Sequence, residues 1–181
     1  MKLLTLMLFA TLCASAQTET KPDQDMSKCP MHAQHQAASK GHLDDVQKRG
    51  QAHEGMGFSQ TETTHHFILT ANGGYIQVTA NDPKDTESVE QVQMHFNHIA
   101  ASFAKGDFSI PHFVHDQTPP GVSTMQKLKK QITYSNEKLD NGAKLVISSN
   151  SSQAIAAIHD FLRFQISDHQ TGDPTTLTAT K

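Results

Sequence analysis

Thr63-Thr64-His65-His66-Phe67-Ile68-Leu69-Thr70, then Ala71-Asn72-Gly73-Gly74, then Tyr75-Ile76-Gln77-Val78-Thr79-Ala80 is the stretch that decides the fold. Both flanks are rich in β-branched and aromatic residues. The Asn-Gly step between them supplies the positive φ that tight hairpins need. The reading is a β-hairpin. Adjacent strand side chains point to opposite faces, so His65 and His66 cannot easily share one ion.

Working outward, Asp82-Pro83 opens a helical stretch to about Lys105, closed by Gly106. Val89, Val92, Phe96, Ile99 and Phe103 fall on one stripe of it. Phe108 to Val122 holds Pro111, Pro119, Pro120 and Gly121 and reads as an irregular connection. Ser123 to Lys130 suits a short helix. A second strand pair, Ile132–Ser135 and Lys144–Ser148, is joined across Asp140-Asn141-Gly142. A last helix runs from about Ser152 to His169, with Ile155, Ile158, Leu162 and Ile166 facing the core, and Gly172-Asp173-Pro174 stops it.

The order is strand, strand, helix, twice over. Tyr75-Ile76-Gln77-Val78 corresponds to Lys144-Leu145-Val146-Ile147, and Met94-His95 to Ile158-His159. Neither unit alone can bury its apolar side. The expected class is therefore α+β: a four-stranded antiparallel sheet from two strand-strand-helix units, with two long helices packed on one face.

Ahead of this domain the chain changes character. Residues 1–16 read as a signal peptide: Lys2, an apolar run from Leu3 to Leu12, and the small-x-small site Ala14-Ser15-Ala16. Residues 17–57 are polar, without sustained apolar period, and read as a flexible tail containing histidine, methionine and cysteine, with a short helix over His42–Arg49. The domain is expected over 58–174 and a disordered tail over 175–181. No second apolar run is long enough to span a bilayer. The formal charge is −3 with histidine neutral, and Lys and Arg cluster only at Lys127-Leu128-Lys129-Lys130. Both facts argue against nucleic acid. Twelve histidines make the surface charge unusually sensitive to pH.

Cleavage after Ala16 would leave Cys29 as the single thiol of an exported chain, excluding an intrachain disulfide. Cys29, Met31, His32 and His35 lie close together. Soft sulfur with imidazole suits copper(I) or zinc better than calcium or magnesium. His95 and His98, three apart on a helix, form a second candidate pair that needs a third ligand. The repeat nominates His159. His115 and Asp116, in the proline-rich connection, are an acid–base combination by type, but adjacent residues seldom meet in a dyad's geometry. His169, at the end of the last helix, suits the negative end of its dipole. No Gly-x-Ser-x-Gly, His-Glu-x-x-His, phosphate-loop or dinucleotide string is present, which lowers the expectation of an enzyme.

Cys29-Pro30-Met31-His32 resembles the short Cys-Pro-Met-His motif of bacterial heavy-metal-binding modules associated with copper efflux. More widely, Met56-Gly57-Phe58, Thr63-Thr64-His65-His66-Phe67, His98-Ile99-Ala100, Pro119-Pro120-Gly121-Val122, Phe161-Leu162-Arg163-Phe164-Gln165-Ile166 and Thr171-Gly172-Asp173 together resemble a family of small exported bacterial proteins of unsettled function. That resemblance implies a bacterial periplasmic location and no particular activity. The expected function is a periplasmic soft-metal protein for scavenging, delivery or tolerance. Copper is the expected ion, with zinc second, and a periplasmic metal-transport protein is the possible partner. The alternative is a small-molecule-binding or enzymatic domain using histidines near the 108–122 connection.

Overall fold

The computed structural model describes residues 30–52 and 54–177, and for residues 30–37 the backbone alone. The expected signal segment, Cys29 and residues 178–181 lie outside the described residues, as do the side chains of Met31, His32 and His35.

The hairpin is present as β1 (Thr63–Thr70) and β2 (Gly73–Ala80), paired antiparallel with Thr70 opposite Gly73. The second is β3 (Ile132–Leu139) and β4 (Gly142–Ser149), longer than the sequence pattern marks. β2 pairs antiparallel with β4, giving one sheet in the order β1-β2-β4-β3. The two central strands share one burial alternation, as the repeat predicts.

Two helices cover one face. α2 (Thr86–Lys105) starts where Asp85 accepts a hydrogen bond from the Ser88 amide (3.1 Å), three residues later than the sequence suggests, because Asp82-Pro83 forms a turn instead. It stops at Gly106, whose φ of 82° is the left-handed conformation glycine adopts without penalty. α5 (Ser152–Asp168) is capped by Ser151. Val92, Phe96, Ile99 and Phe103 of α2 meet Ile158, Phe161, Leu162 and Ile166 of α5 over Phe67, Leu69, Val78, Leu145 and Ile147, forming one continuous core. Ile155, expected in that core, is only half-buried. The fold is α+β, a four-stranded antiparallel sheet with helices packed against it.

Two segments differ from expectation. The connection after Phe108 holds a helix, α3 (Ser109–His115), because Pro111 sits in its first turn, where no amide donor is needed. α4 (Val122–Lys127) and one 3₁₀ turn (Lys129–Gln131) follow. Gly121 lets α4 approach α5: its φ is 83°, and a Cβ there would collide with the Ala157 carbonyl oxygen.

The second difference is larger. Residues expected in a flexible tail form α1 (Pro30–Gln51), starting with proline at the position helices favour and ending in Lys48 and Arg49. Val46 of α1 is fully buried. Polar bonds do the rest of the anchoring: Arg49 Nε donates to the Val114 carbonyl (2.7 Å), His42 Nε2 pairs with Asp168 (2.7 Å), and Gln170 donates to Ser39 (3.0 Å). Few apolar residues were needed, so the sequence shows little periodicity there. Among the described residues no helix is long and apolar enough to cross a membrane.

Candidate functional site

Four histidines converge on the end of the core nearest α1. Strand alternation turns His65 inward with Phe67 and Leu69, while His66 faces out and pairs with Asp173 (2.9 Å). Asp173 also accepts from the Phe67 amide (2.9 Å), occupying an edge-strand donor. His95 comes from α2, His115 from the last position of α3, and His169 from the C-cap of α5.

Their rings pack as hydrophobic bodies. His169 lies nearly parallel to His65, with centroids 5.8 Å apart, and stacks on Phe67 at 5.4 Å. Phe58 covers the other side of His65 and meets His95 edge-on at 5.5 Å. His115 stands perpendicular to His169 at 5.0 Å. Between them lies a mainly apolar cavity of about 50 Å³, lined by His65, His95, His115, Gln165 and His169 together with Phe96, Phe103 and Phe161. That is room for roughly four water-sized groups.

The environment keeps these rings uncharged. Burial, helped by the neighbouring His66, pushes His65 down to about 4. Burial, with His98 and His65 nearby, does the same to His95. Burial also carries His169 well below the ordinary histidine value, and the other histidines add to it. His115 is lowered by burial against the opposing pull of Asp168 and Gln165.

His115 has a defined orientation. Its Nδ1 lies 2.5 Å from Asp168 Oδ2 and its Nε2 2.9 Å from the Gln165 amide. A neutral ring carries one proton. Given to Nδ1, it donates to the carboxylate, and Nε2 becomes an acceptor. With its oxygen Oε1 toward Nε2, Gln165 favours the protonated ring; against the neutral ring the amide turns over, its NH₂ donates to Nε2, and Oε1 takes the buried place without a partner. His169 Nδ1 donates to Gln60 Oε1 (3.1 Å). His65 Nε2 is buried with no hydrogen-bond partner. Asp168 binds His42 of α1 as well as His115, so one carboxylate joins three helices.

Two depressions flank the cavity. Met56, His95 and Ile110 separate it from an outer groove of about 640 Å³ that also contains Met94 and His98. His65 and His169 separate it from a polar cleft lined by Gln47, Gln60, Thr63 and His66.

The predicted site residues are thus partly assembled. His95 and His98 share the groove. His159 does not join them: its Nε2 bonds to the Thr70 carbonyl (2.9 Å). Counted from the caps Asp85 and Ser151, His159 sits two places earlier than His95, which turns it about 200° around its helix. The repeat in the helices is out of step with the repeat in the strands. Among the described residues no three His, Cys, Asp or Glu side chains are placed to hold one metal ion. Sequence reasoning missed the His115–Asp168 pair, 53 positions apart; it weighed His115 only with the exposed neighbour Asp116 and discounted that combination. It assigned His169 to the helix dipole, whereas the ring is packed against His65 and Phe67. None of the family models, curated proteins or solved structures compared with the chain matches it.

Proposed function

We propose that this chain is a small-molecule-binding domain, exported to a bacterial periplasm, and that the histidine-lined cavity is its site. The observation that carries the reading is His65 Nε2: a buried polar atom without a protein partner, on a residue lining a mainly apolar cavity. A buried polar group without a partner costs about 1–3 kcal/mol, which a ligand supplying the bond would return. The ligand class follows from the walls. It is compact and largely apolar, because aromatic rings and aliphatic side chains dominate. It is uncharged, because the surrounding imidazoles are neutral. It carries one polar group to pair with His65.

2-Propanol, isobutane and acetate, each small enough for a cavity of about 50 Å³, are the probes. 2-Propanol should shift the ring resonances of His65, His115 and His169; isobutane should do so less, and acetate should not. Ile110→Trp, at the border of cavity and groove, should abolish the 2-propanol response. If none of the three probes moves those ring resonances, the reading is overturned.

The clustered donors Cys29, Met31, His32 and His35 favour a second reading, capture of a soft metal ion by the N-terminal segment. Copper is preferred over zinc, for scavenging, delivery to a periplasmic transport protein, or tolerance. Cys29→Ala should then weaken copper(I) binding, and more so at higher pH, where the thiolate is the ligand that has been lost. Equal affinity of both proteins would remove Cys29 from the site.

A further inference from the structure

Met94 projects from α2 with 67% of its surface exposed, although α2 has a well-formed buried stripe and Met94 is not part of it. Its neighbours are specific. His98 is one helical turn further along the same face, and His95 is three positions before His98; such spacings bring side chains together. From the loop opposite, Met56 completes the wall, and all four residues line the one outer groove. Two thioethers and two imidazoles therefore face one open depression, on a rigid helix and a short loop.

We propose that this groove is a copper(I) site, with Met56, Met94, His95 and His98 as its ligands. The donor chemistry selects the ion. Thioether sulfur is soft and uncharged, so it contributes little to zinc or to hard ions and much to copper(I). Neither thioether has a proton to lose, and the side chain has enough rotatable bonds to close on an ion from either wall. Copper(II), which favours a planar set of nitrogen and oxygen donors, fits the sulfur pair poorly. The site also explains the exposed Met94, which packing does not. It needs no third histidine, so the separation of His159 from the pair does not count against it. The site is distinct from the tail donors and does not depend on the cavity reading: the cavity lies behind Met56 and His95, whereas the groove opens to solvent in front of them.

The experiment removes the competing donors first. In the exported form beginning at Gln17, which lacks Cys13, and carrying Cys29→Ala, Met31→Ala, His32→Ala and His35→Ala, copper(I) is titrated against a chromophoric copper(I) chelator. One ion per chain should remain bound. Met94→Ala or His98→Ala, added singly, should weaken it about tenfold or more, since even an outer-shell partner of a metal site is worth that much. Both residues are exposed, and a melting curve on each variant checks that the fold is intact. X-ray absorption of the loaded parent should show sulfur in the copper shell, reduced by Met94→Ala, and zinc should not compete. No copper(I) uptake in the tail-substituted parent overturns the groove site while leaving the tail reading standing. Unchanged affinity in both single variants, or a copper shell without sulfur, overturns it as well.

Discussion

The inner cavity and the outer groove share Met56, His95 and Ile110 as a common wall, yet they use histidine in opposite ways. Inside, His65, His115 and His169 are packing bodies: stacked on aromatics, held neutral by burial, and oriented by Asp168, Gln165 and Gln60. Outside, His98 stands beside a solvent-exposed methionine with no core to support. The same side chain is a packing element on one side of that wall and an exposed polar group on the other. The difference between the two regions is burial, and burial is what experiments can separate.

The largest expected effect is acid destabilisation arising from the buried rings, His95 of the shared wall included. Unfolded histidines take up protons near pH 6.5, while His65 and His95 stay neutral down to about 4 in the fold. His115 and His169 are depressed in the same direction. Between those limits the unfolded chain holds more protons, so stability falls as pH falls, by about 1.4 kcal/mol per pH unit for each such histidine. Stability is full above about pH 6.5 and lost progressively below it. Urea melts from pH 7 to 4.5 measure the slope, and His65→Phe should flatten it by one histidine's share. A flat profile in the parent would erase the distinction between inside and outside.

Next in size is Asp168→Ala, expected to cost about 3 kcal/mol, because it leaves the buried His115 Nδ1–H unpaired and releases His42 of α1. Chemical denaturation at pH 7 checks it. A loss under about 1 kcal/mol would mean that the carboxylate does not organise the inner set.

Val46→Ala should cost about 2 kcal/mol, the usual scale for truncating a fully buried aliphatic side chain. The change should also loosen α1 against α3 and increase amide exchange around Val114 and Asp168, while leaving Met94 and His98 undisturbed. If exchange rises equally in the groove, the two regions are mechanically one.

Much of this architecture was legible in the chain. Asn72-Gly73 and Asn141-Gly142 marked both hairpins, and the stripes of α2 and α5 marked their core faces, because turn chemistry and periodicity are local signals. α3 was hidden by Pro111, which breaks a helix interior but not a first turn. Of α1 only His42–Arg49 was marked as helical; the rest was hidden because the helix is held mainly by hydrogen bonds to distant residues, which leave no period. The inner cluster was the least legible part. Each of its members comes from a different element, so only the assembled fold brings His65, His95, His115 and His169 together. The His95–His98 pair was readable from helical spacing, but its companions were not. Met94 and Met56 become significant only once the loop at Met56 is seen to lie across the groove from α2.

The smallest expected effects belong to the groove. Met94→Ala and His98→Ala should each change stability by no more than about 0.5 kcal/mol, the range of surface substitutions that break no cap, core contact or buried bond. Met94 gives up exposed surface rather than packing, and His98 is likewise exposed. His95→Ala is the informative contrast on the same helix. It removes the ring that packs edge-on against Phe58 and Phe96, and it opens the wall between groove and cavity. Its cost should approach that of Val46→Ala, near 2 kcal/mol. Thermal melts of the three variants at pH 7 therefore test the boundary residue by residue. If His95→Ala is as silent as His98→Ala, the wall between the regions is not where the geometry draws it, and the cavity is an extension of the groove.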